Sequence, residues 1–198
     1  MATKNRAKLG ELKSGVKDLI SSGIKIVDLD DLKINKYPEE NGKTFKENAK
    51  IKAGFYGNLT GLPTLADDGG LIIPYLNNEP GVRSRRWLGY EATDEELIDH
   101  TLKKLKDLPV KNRVCYLQTC VCFYHPLTKK FLCCEEKIKG HIAEKPSGRL
   151  TDGYPFRALF VVEKYNKYYD ELTAKEHDEI NHRLKALRKL TKSMKNLL

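Results

Sequence analysis

Two adjacent carboxylates followed by two glycines, in Ala66-Asp67-Asp68-Gly69-Gly70, are the residues of this chain best equipped for chemistry. Neighbouring carboxylates offer the hard oxygen donors that Mg²⁺ takes, and glycine lets a main chain come close to a ligand. The same residue types also favour a plain turn, and the pair is placed at the end of a loop. Two further segments bring positive charge to helix starts: Thr3-Lys4-Asn5-Arg6-Ala7-Lys8, and Glu40 to Ala53, with Lys46, Lys50 and Lys52. A helix N-terminus with lysines nearby is a ready phosphate site, because its free amides and its dipole both favour an anion. The last group is five cysteines between Cys115 and Cys134. An odd, clustered set fits reduced thiols better than a disulfide framework. Cys120-x-Cys122 with Cys133-Cys134 suggests zinc, but neighbours on a strand face opposite ways, so Cys133 and Cys134 do not easily share an ion.

Positioning these residues falls to helices and strands that alternate along the chain, which makes the class α/β. Thr44 with Glu47, Thr93 with Glu96 and Thr173 with Glu176 each have the spacing of a reciprocal cap at a helix start. After Thr44, Phe45, Ala49, Ala53 and Tyr56 recur at helical spacing, and Asn48 and Lys52 lie side by side one turn apart. The helix after Thr93 is expected to bury Leu97, Ile98, Leu102 and Leu105, and the one after Thr173 to bury Ile180, Leu184 and Leu187. Arg113 to Tyr124 and Lys130 to Ile142 read as a long hairpin joined by His125 to Lys129. Ile24 to Leu29, Leu71 to Tyr75 and Ala158 to Val162 read as further strands.

With 198 residues, 40% of them hydrophobic, the chain can build one fair-sized core or two lobes. No apolar run reaches the roughly 18 residues of a membrane span, and Met1 to Lys8 is polar and basic rather than a signal peptide. A cytoplasmic protein with no membrane partner is expected. The net charge of +9 favours polyanionic partners, phosphorylated small molecules or nucleic acid. Much of it sits in Lys185, Arg188, Lys189, Lys192 and Lys195, whose spacing fits the solvated face of a helix.

Taken in order, these segments resemble the inosine triphosphate pyrophosphatase family. Its pattern runs T-x-N-x-x-K, then E-x-G-x-T-F-x-E-N-A-x-x-K-A, then A-D-D-S-G-L, P-G-x-x-S and S-H-R-x-x-A-L. Here these fall on Thr3 to Lys8, Glu40 to Ala53, Ala66 to Gly70, Pro80 to Ser84 and Asn181 to Leu187. The resemblance implies a single domain over 1–198, a mixed elongated sheet with flanking helices forming two lobes around a central nucleotide cleft, and a homodimer. It implies Mg²⁺-dependent hydrolysis of inosine, deoxyinosine and xanthosine triphosphates to the monophosphate and pyrophosphate. Glu40, Asp68 and Asp67 would hold Mg²⁺, Asp68 would activate water, and Lys52 would assist it. Thr3, Asn5, Lys8, Lys52 and Gly69 would grip the triphosphate. Gly153, Tyr154, His177, His182 and Arg183 would frame the purine, the ring of Tyr154 stacking on it and the basic pair reading its 6-keto oxygen.

Three positions and the start of the chain depart from the family pattern. Gly69 stands where the family has Ser, Pro155 where it has the Asp of F-G-Y-D-P, and His177 where it has Lys. Only Met1-Ala2 precede Thr3, where the family has an apolar strand; either the chain is trimmed or that strand is missing, and if it is missing a mobile Thr3 to Lys8 segment is expected. Each lost hydrogen bond to a buried polar group is worth on the order of 1–3 kcal/mol, so phosphate chemistry with blunted base discrimination is the expectation. The competing readings are altered nucleotide specificity and a decayed nucleic-acid-binding protein. The second lacks a basic run interleaved with aromatics.

Overall fold

The computed structural model describes residues 1–3, 5–194 and 197. Helices α1 (Arg6–Gly15), α2 (Lys17–Ser21), α3 (Phe45–Thr60), α4 (Asp94–Lys104), α5 (Ala174–Ile180) and α6 (His182–Met194) accompany one sheet. Its strands are β1 (Thr64–Ile73), β2 (Glu79–Pro80), β3 (Val114–His125), β4 (Lys130–Ile142), β5 (Phe160–Val162) and β6 (Lys167–Tyr168). They lie in the order β2-β1-β3-β4-β5-β6, and β1/β2, β4/β5 and β5/β6 pair antiparallel. The class is mixed α/β. The chain divides into two compact units, Met1–Asp68 with Thr119–Glu136 and His182–Leu198, and Gly69–Gln118 with Lys137–Asn181.

The first unit buries Leu12 of α1, Leu19 of α2, Leu65 of β1, Val121 and Phe123 of β3 and Leu187, Leu190 and Met194 of α6 in one core. Each such side chain contributes about 1.5–3 kcal/mol of hydrophobic free energy. Helices α1 and α6 cross closely because Gly15 has no side chain: a Cβ there would lie 2.5 Å from Leu187 Cδ1. Helix α3 covers the other face of β3. It buries Phe45, Ala49, Ala53 and Tyr56, as its periodicity predicts, and Gly57 leaves room for the Tyr124 ring, which a Cβ would meet at 2.4 Å. The helix ends on Gly61, left-handed at φ 70°.

The second unit has its own core, which includes Leu71 and Ile73 of β1, Leu97, Ile98 and Leu105 of the α4 region, Cys115 and Leu117 of β3, and Leu159 and Phe160. Buried Arg113 serves as a clamp, its Nε donating to Leu108 O at 2.8 Å and its Nη1 to Ala143 O at 3.2 Å.

Several expectations need correction. Ala66 to Gly70 does not end a loop but lies inside β1. Ile24 to Leu29 forms no strand; its main chain takes the Met1 amine on Val27 O at 2.6 Å rather than joining a ladder. The helix after Thr173 is two helices, broken at Asn181, whose ψ of 112° is extended. Reciprocal caps form at Thr93 and Thr173. At Thr44 the hydroxyl accepts from Glu47 N, while the Glu47 carboxylate accepts from Lys43 N, one residue early. Cys122 and Cys133, facing each other across β3 and β4 with Cα atoms 4.2 Å apart, are joined as a disulfide rather than both reduced. Lys185, Arg188, Lys189 and Lys192 line the exposed face of α6; Lys195 lies outside the described residues, as does Lys4.

Candidate active site

Strand alternation decides what the acidic pair can do, because successive side chains of β1 point to opposite faces. Asp68 turns toward α3. Its Oδ1 accepts from Lys52 Nζ at 3.2 Å and its Oδ2 from Asn48 Nδ2 at 3.2 Å. Asn48 and Lys52 reach it together because they are one turn apart on the same helix face. Lys52 Nζ also donates to Glu40 Oε2 at 2.8 Å. Glu40 is brought there by the segment ahead of α3, where Gly42 N donates to Asn48 Oδ1 at 2.8 Å. A Cβ on Gly42 would lie 2.6 Å from that oxygen and 2.9 Å from Asn48 N, which is why glycine stands two residues after the glutamate. Thr119 Oγ1 of β3 donates to the Asp68 carbonyl oxygen at 3.0 Å and steadies the strand at this point.

Burial by itself would lower the pKa of Lys52, but the charges of Asp68, Glu40 and Asp67 outweigh it and raise the ammonium above its ordinary value. Side-chain exposure is 13% for Lys52, 13% for Asp68 and 31% for Glu40, so the cluster opens to solvent.

Asp67 turns the other way, toward α1 and α6. Its Oδ2 accepts from Arg183 Nε at 2.9 Å and lies 3.6 Å from Lys8 Nζ. Arg183 also pairs through Nη1 with Glu11, which shares a face of α1 with Lys8. Two cations and two anions thus neutralise one another around a carboxylate whose side chain has no exposure. Burial alone would raise the Asp67 pKa; the fields of Lys8, Arg183 and Lys52 reverse that and hold it well below the usual carboxylate range. Its Oδ1 is buried and has no hydrogen-bond partner among the described residues.

In the N-terminal motif Asn5 N donates to Thr3 Oγ1 at 3.2 Å, and Lys8 N donates to Asn5 Oδ1 at 3.0 Å, making Asn5 the cap of α1. Thr3, Asn5, Lys8, Glu40, Lys52, Asp67, Asp68, His182 and Arg183 all belong to the first unit. His182 is buried beside Arg183.

Gly69, Gly153, Tyr154 and His177 belong to the second unit. Gly153 is left-handed at φ 76°, and its amide donates to Asp94 Oδ2 at 2.7 Å. The guanidinium of Arg157, a residue sequence reasoning passed over, lies 3.5 Å from the Tyr154 ring centre and 4.6 Å from that of Tyr169. His177 stands edge-on to Tyr169 at 5.2 Å and shares a hydrogen bond with Asn181 Nδ2 at 3.3 Å. Ser84 of the P-G-x-x-S segment supports β1: it accepts from Leu71 N at 3.1 Å and donates to Gly81 O at 2.7 Å. Glu11, Thr119 and Arg157 carry no motif of their own; only the three-residue spacing of Lys8 and Glu11 could have marked one of them.

Glu40 and Asp68 fit a hard cation. Two carboxylate oxygens already converge on one positive group, the Lys52 ammonium, and two negative charges against one positive leave an excess of one negative charge there. Oxygen donors of this kind suit Mg²⁺. Asp67 fits less well, since Arg183 and Lys8 take up its charge on the opposite face of the strand.

The sequence matches the Ham1 family over residues 1–193. A dITP/XTP pyrophosphatase of Shigella flexneri is 37% identical over 99% of this chain and 97% of its own length. One from Halalkalibacterium halodurans is 34% identical over 97% of this chain and 96% of its own. Among solved structures, a HAM1 protein from Coxiella burnetii superposes with a TM-score of 0.84 at 34% identity, covering 98% of this chain and 96% of that one. The Staphylococcus aureus Ham1 protein gives a TM-score of 0.83 at 26% identity, covering 100% and 97%. With its motifs in family order and the family matched across nearly its whole length, the chain belongs to the Ham1 family.

Proposed function

We propose that this protein cleaves deoxyinosine, inosine and xanthosine triphosphates between the α- and β-phosphates, with Mg²⁺, to give the monophosphate and pyrophosphate. Its family membership, with relatives named dITP/XTP pyrophosphatase, makes the chain a nucleoside triphosphate pyrophosphatase. The finer reading rests on one observation above others: Lys52 bridges Glu40 and Asp68, with Asn48 holding the far oxygen of Asp68.

In this reading Glu40 and Asp68 hold Mg²⁺, which when bound neutralises phosphate oxygens and polarises the bond to be broken. Asp68, oriented by Asn48 and Lys52, aligns the attacking water and takes its proton. Lys52 keeps its proton because three carboxylates raise its pKa, so it stays a cation for the charge developing on the phosphates. Thr3, Asn5 and Lys8 at the start of α1 bind the triphosphate through amides and an ammonium. The Asp67–Arg183 pair keeps α6 and β1 in place behind them.

Two positions bear on base discrimination. Pro155 supplies no side-chain acceptor where the family has a carboxylate, and His177 is engaged with Tyr169 and Asn181. These observations favour a second reading, the same chemistry with relaxed base choice. Either way the protein works as a cytoplasmic homodimer, which sedimentation of the purified chain tests for the assembly.

The deciding experiment measures pyrophosphate release from ITP, XTP, dITP, ATP, GTP and UTP with Mg²⁺, for the wild type and Asp68→Asn. Preferred cleavage of the keto purines with a dead variant supports the proposal. Equal turnover of all six favours relaxed base choice, and no release from any refutes both.

A further inference from the structure

Outside the acidic cluster, one group of side chains has the composition and geometry of a ligand set. Cys120 and Cys122, two apart on β3, face α3, and Cys133 of β4 is the cross-strand neighbour of Cys122. Alternation sends Cys134 to the opposite face, where it packs with the α1 and α6 core. The sulfurs of Cys120, Cys122 and Cys133 all lie within 4.8 Å of one another, and Cys120 Sγ is 3.9 Å from Cys122 Sγ. A metal ion held at about 2.3 Å from each thiolate needs sulfurs about 3.8–4.0 Å apart, for tetrahedral and trigonal sites respectively.

We propose that the reduced chain binds one thiophilic d¹⁰ cation, of the Zn²⁺, Cd²⁺ or Cu⁺ class, on Cys120, Cys122 and Cys133, and that the Cys122–Cys133 disulfide is the oxidised form of the same site. The disulfide alone makes no use of the third sulfur, since it joins two atoms and leaves a fully buried thiol packed against them. An ion uses all three. The choice of metal follows from the donors, since thiolates select soft or borderline ions whereas Glu40 and Asp68 offer oxygens for a hard one, so the two sites do not compete. Three thiolates on a divalent ion carry one net negative charge. Burial pushes the Cys120 thiol up to about 12, Glu135, Cys134 and Asp68 add to that and Lys46 on α3 opposes them, so the thiolate forms there only when the ion displaces its proton.

The balance is simple. A phosphine takes the oxygen of one water molecule and returns two thiols from the disulfide. Binding a divalent ion then releases three protons to solvent.

The test uses the full chain, reduced with a phosphine without oxygen, freed of reductant and titrated with Cd²⁺ alone. One bound equivalent is expected, with a sulfur-to-metal charge-transfer absorption and the release of three protons. In the wild type the bound ion slows alkylation of half-buried Cys133 and leaves Cys134 unaffected, a readout that needs no variant. Cys120→Ser and Cys133→Ser lose the absorption while circular dichroism shows the fold retained, and Cys134→Ser keeps it. Absence of the absorption in the reduced wild type, or equal loss in Cys134→Ser, overturns the proposal.

Discussion

Replacing Asp67 by Asn should damage the fold and spare the chemistry, although the residue adjoins the one proposed to activate water. The substitution keeps the size of the side chain and removes its charge. Arg183, with 3% side-chain exposure, loses the carboxylate on its Nε and keeps Glu11 on its Nη1, and Lys8, with 20%, loses the anion 3.6 Å from its Nζ. Removing one partner of a buried ion pair costs about 3–5 kcal/mol. The surviving Glu11 contact and the partial exposure of Lys8 place this case at the low end, about 3 kcal/mol. For a chain of this length that corresponds to a fall of roughly 6–12 °C in Tm.

The effect also carries a pH signature. The folded-state pKa of Asp67 lies below its unfolded value of about 3.9, so the carboxylate's contribution is fully present above that value. It disappears as pH falls through the folded pKa. Urea unfolding of the wild type and Asp67→Asn from pH 7 down to pH 3 should therefore show a constant gap above about pH 5 that narrows below about pH 4. At a temperature where both are folded, kcat should differ by less than about tenfold, a barrier change under 1.4 kcal/mol. A stability loss under about 1 kcal/mol, the size of a surface pair, would refute the reasoning, as would a gap indifferent to acid.

Asp68→Asn should do the opposite, lowering pyrophosphate release by roughly 10²- to 10⁴-fold while the urea midpoint stays near wild type, because Lys52 keeps Glu40. Gly42→Ala forces a Cβ to within 2.6 Å of Asn48 Oδ1 and displaces the segment carrying Glu40. It should cost about 1–3 kcal/mol and raise the Mg²⁺ concentration needed for half-maximal activity; an unchanged Mg²⁺ requirement would count against Glu40 as a ligand. Thr93→Ala removes the hydroxyl that accepts from Glu96 N at 3.2 Å and should destabilise the protein by about 1 kcal/mol without altering turnover.

How much of this was legible in the sequence depends on how local each feature is. Helix α3 could be read directly, since Thr44, its apolar stripe and the Asn48–Lys52 spacing all report one turn of helix. The β3/β4 hairpin was equally plain from two β-rich runs around a short connection. The placing of Asp67 and Asp68 in a loop failed because flanking glycines carry turn propensity, and only the sheet partners of β1 override it. The pairing of Asp67 with Arg183 crosses 116 residues, and no periodicity reports a contact of that separation. The break at Asn181 was hidden because Ile180, Leu184 and Leu187 keep helical spacing across it. The single disulfide was hidden too, since counting cysteines says nothing of which two face each other.

The opposite fates of Asp67 and Asp68 give the buried pair a meaning beyond stability. A strand that slips by one residue exchanges its two faces, and here the slip would carry Ala66 or Asp68 to the place beside Arg183 and leave Asp67 or Gly69 facing Lys52. Hydrophobic patterning guards weakly against that error, because Ala66, Gly69 and Gly70 present little side chain on either face. The charges guard strongly: the slipped register strands Arg183 or Lys52, both largely buried, without the anion each faces now. Buried ion pairs often add little net stability over an apolar substitute, yet they penalise wrong arrangements heavily. The Asp67–Arg183 pair therefore penalises a slipped β1, and Thr119, held on the Asp68 carbonyl from β3, favours the same register from the backbone side.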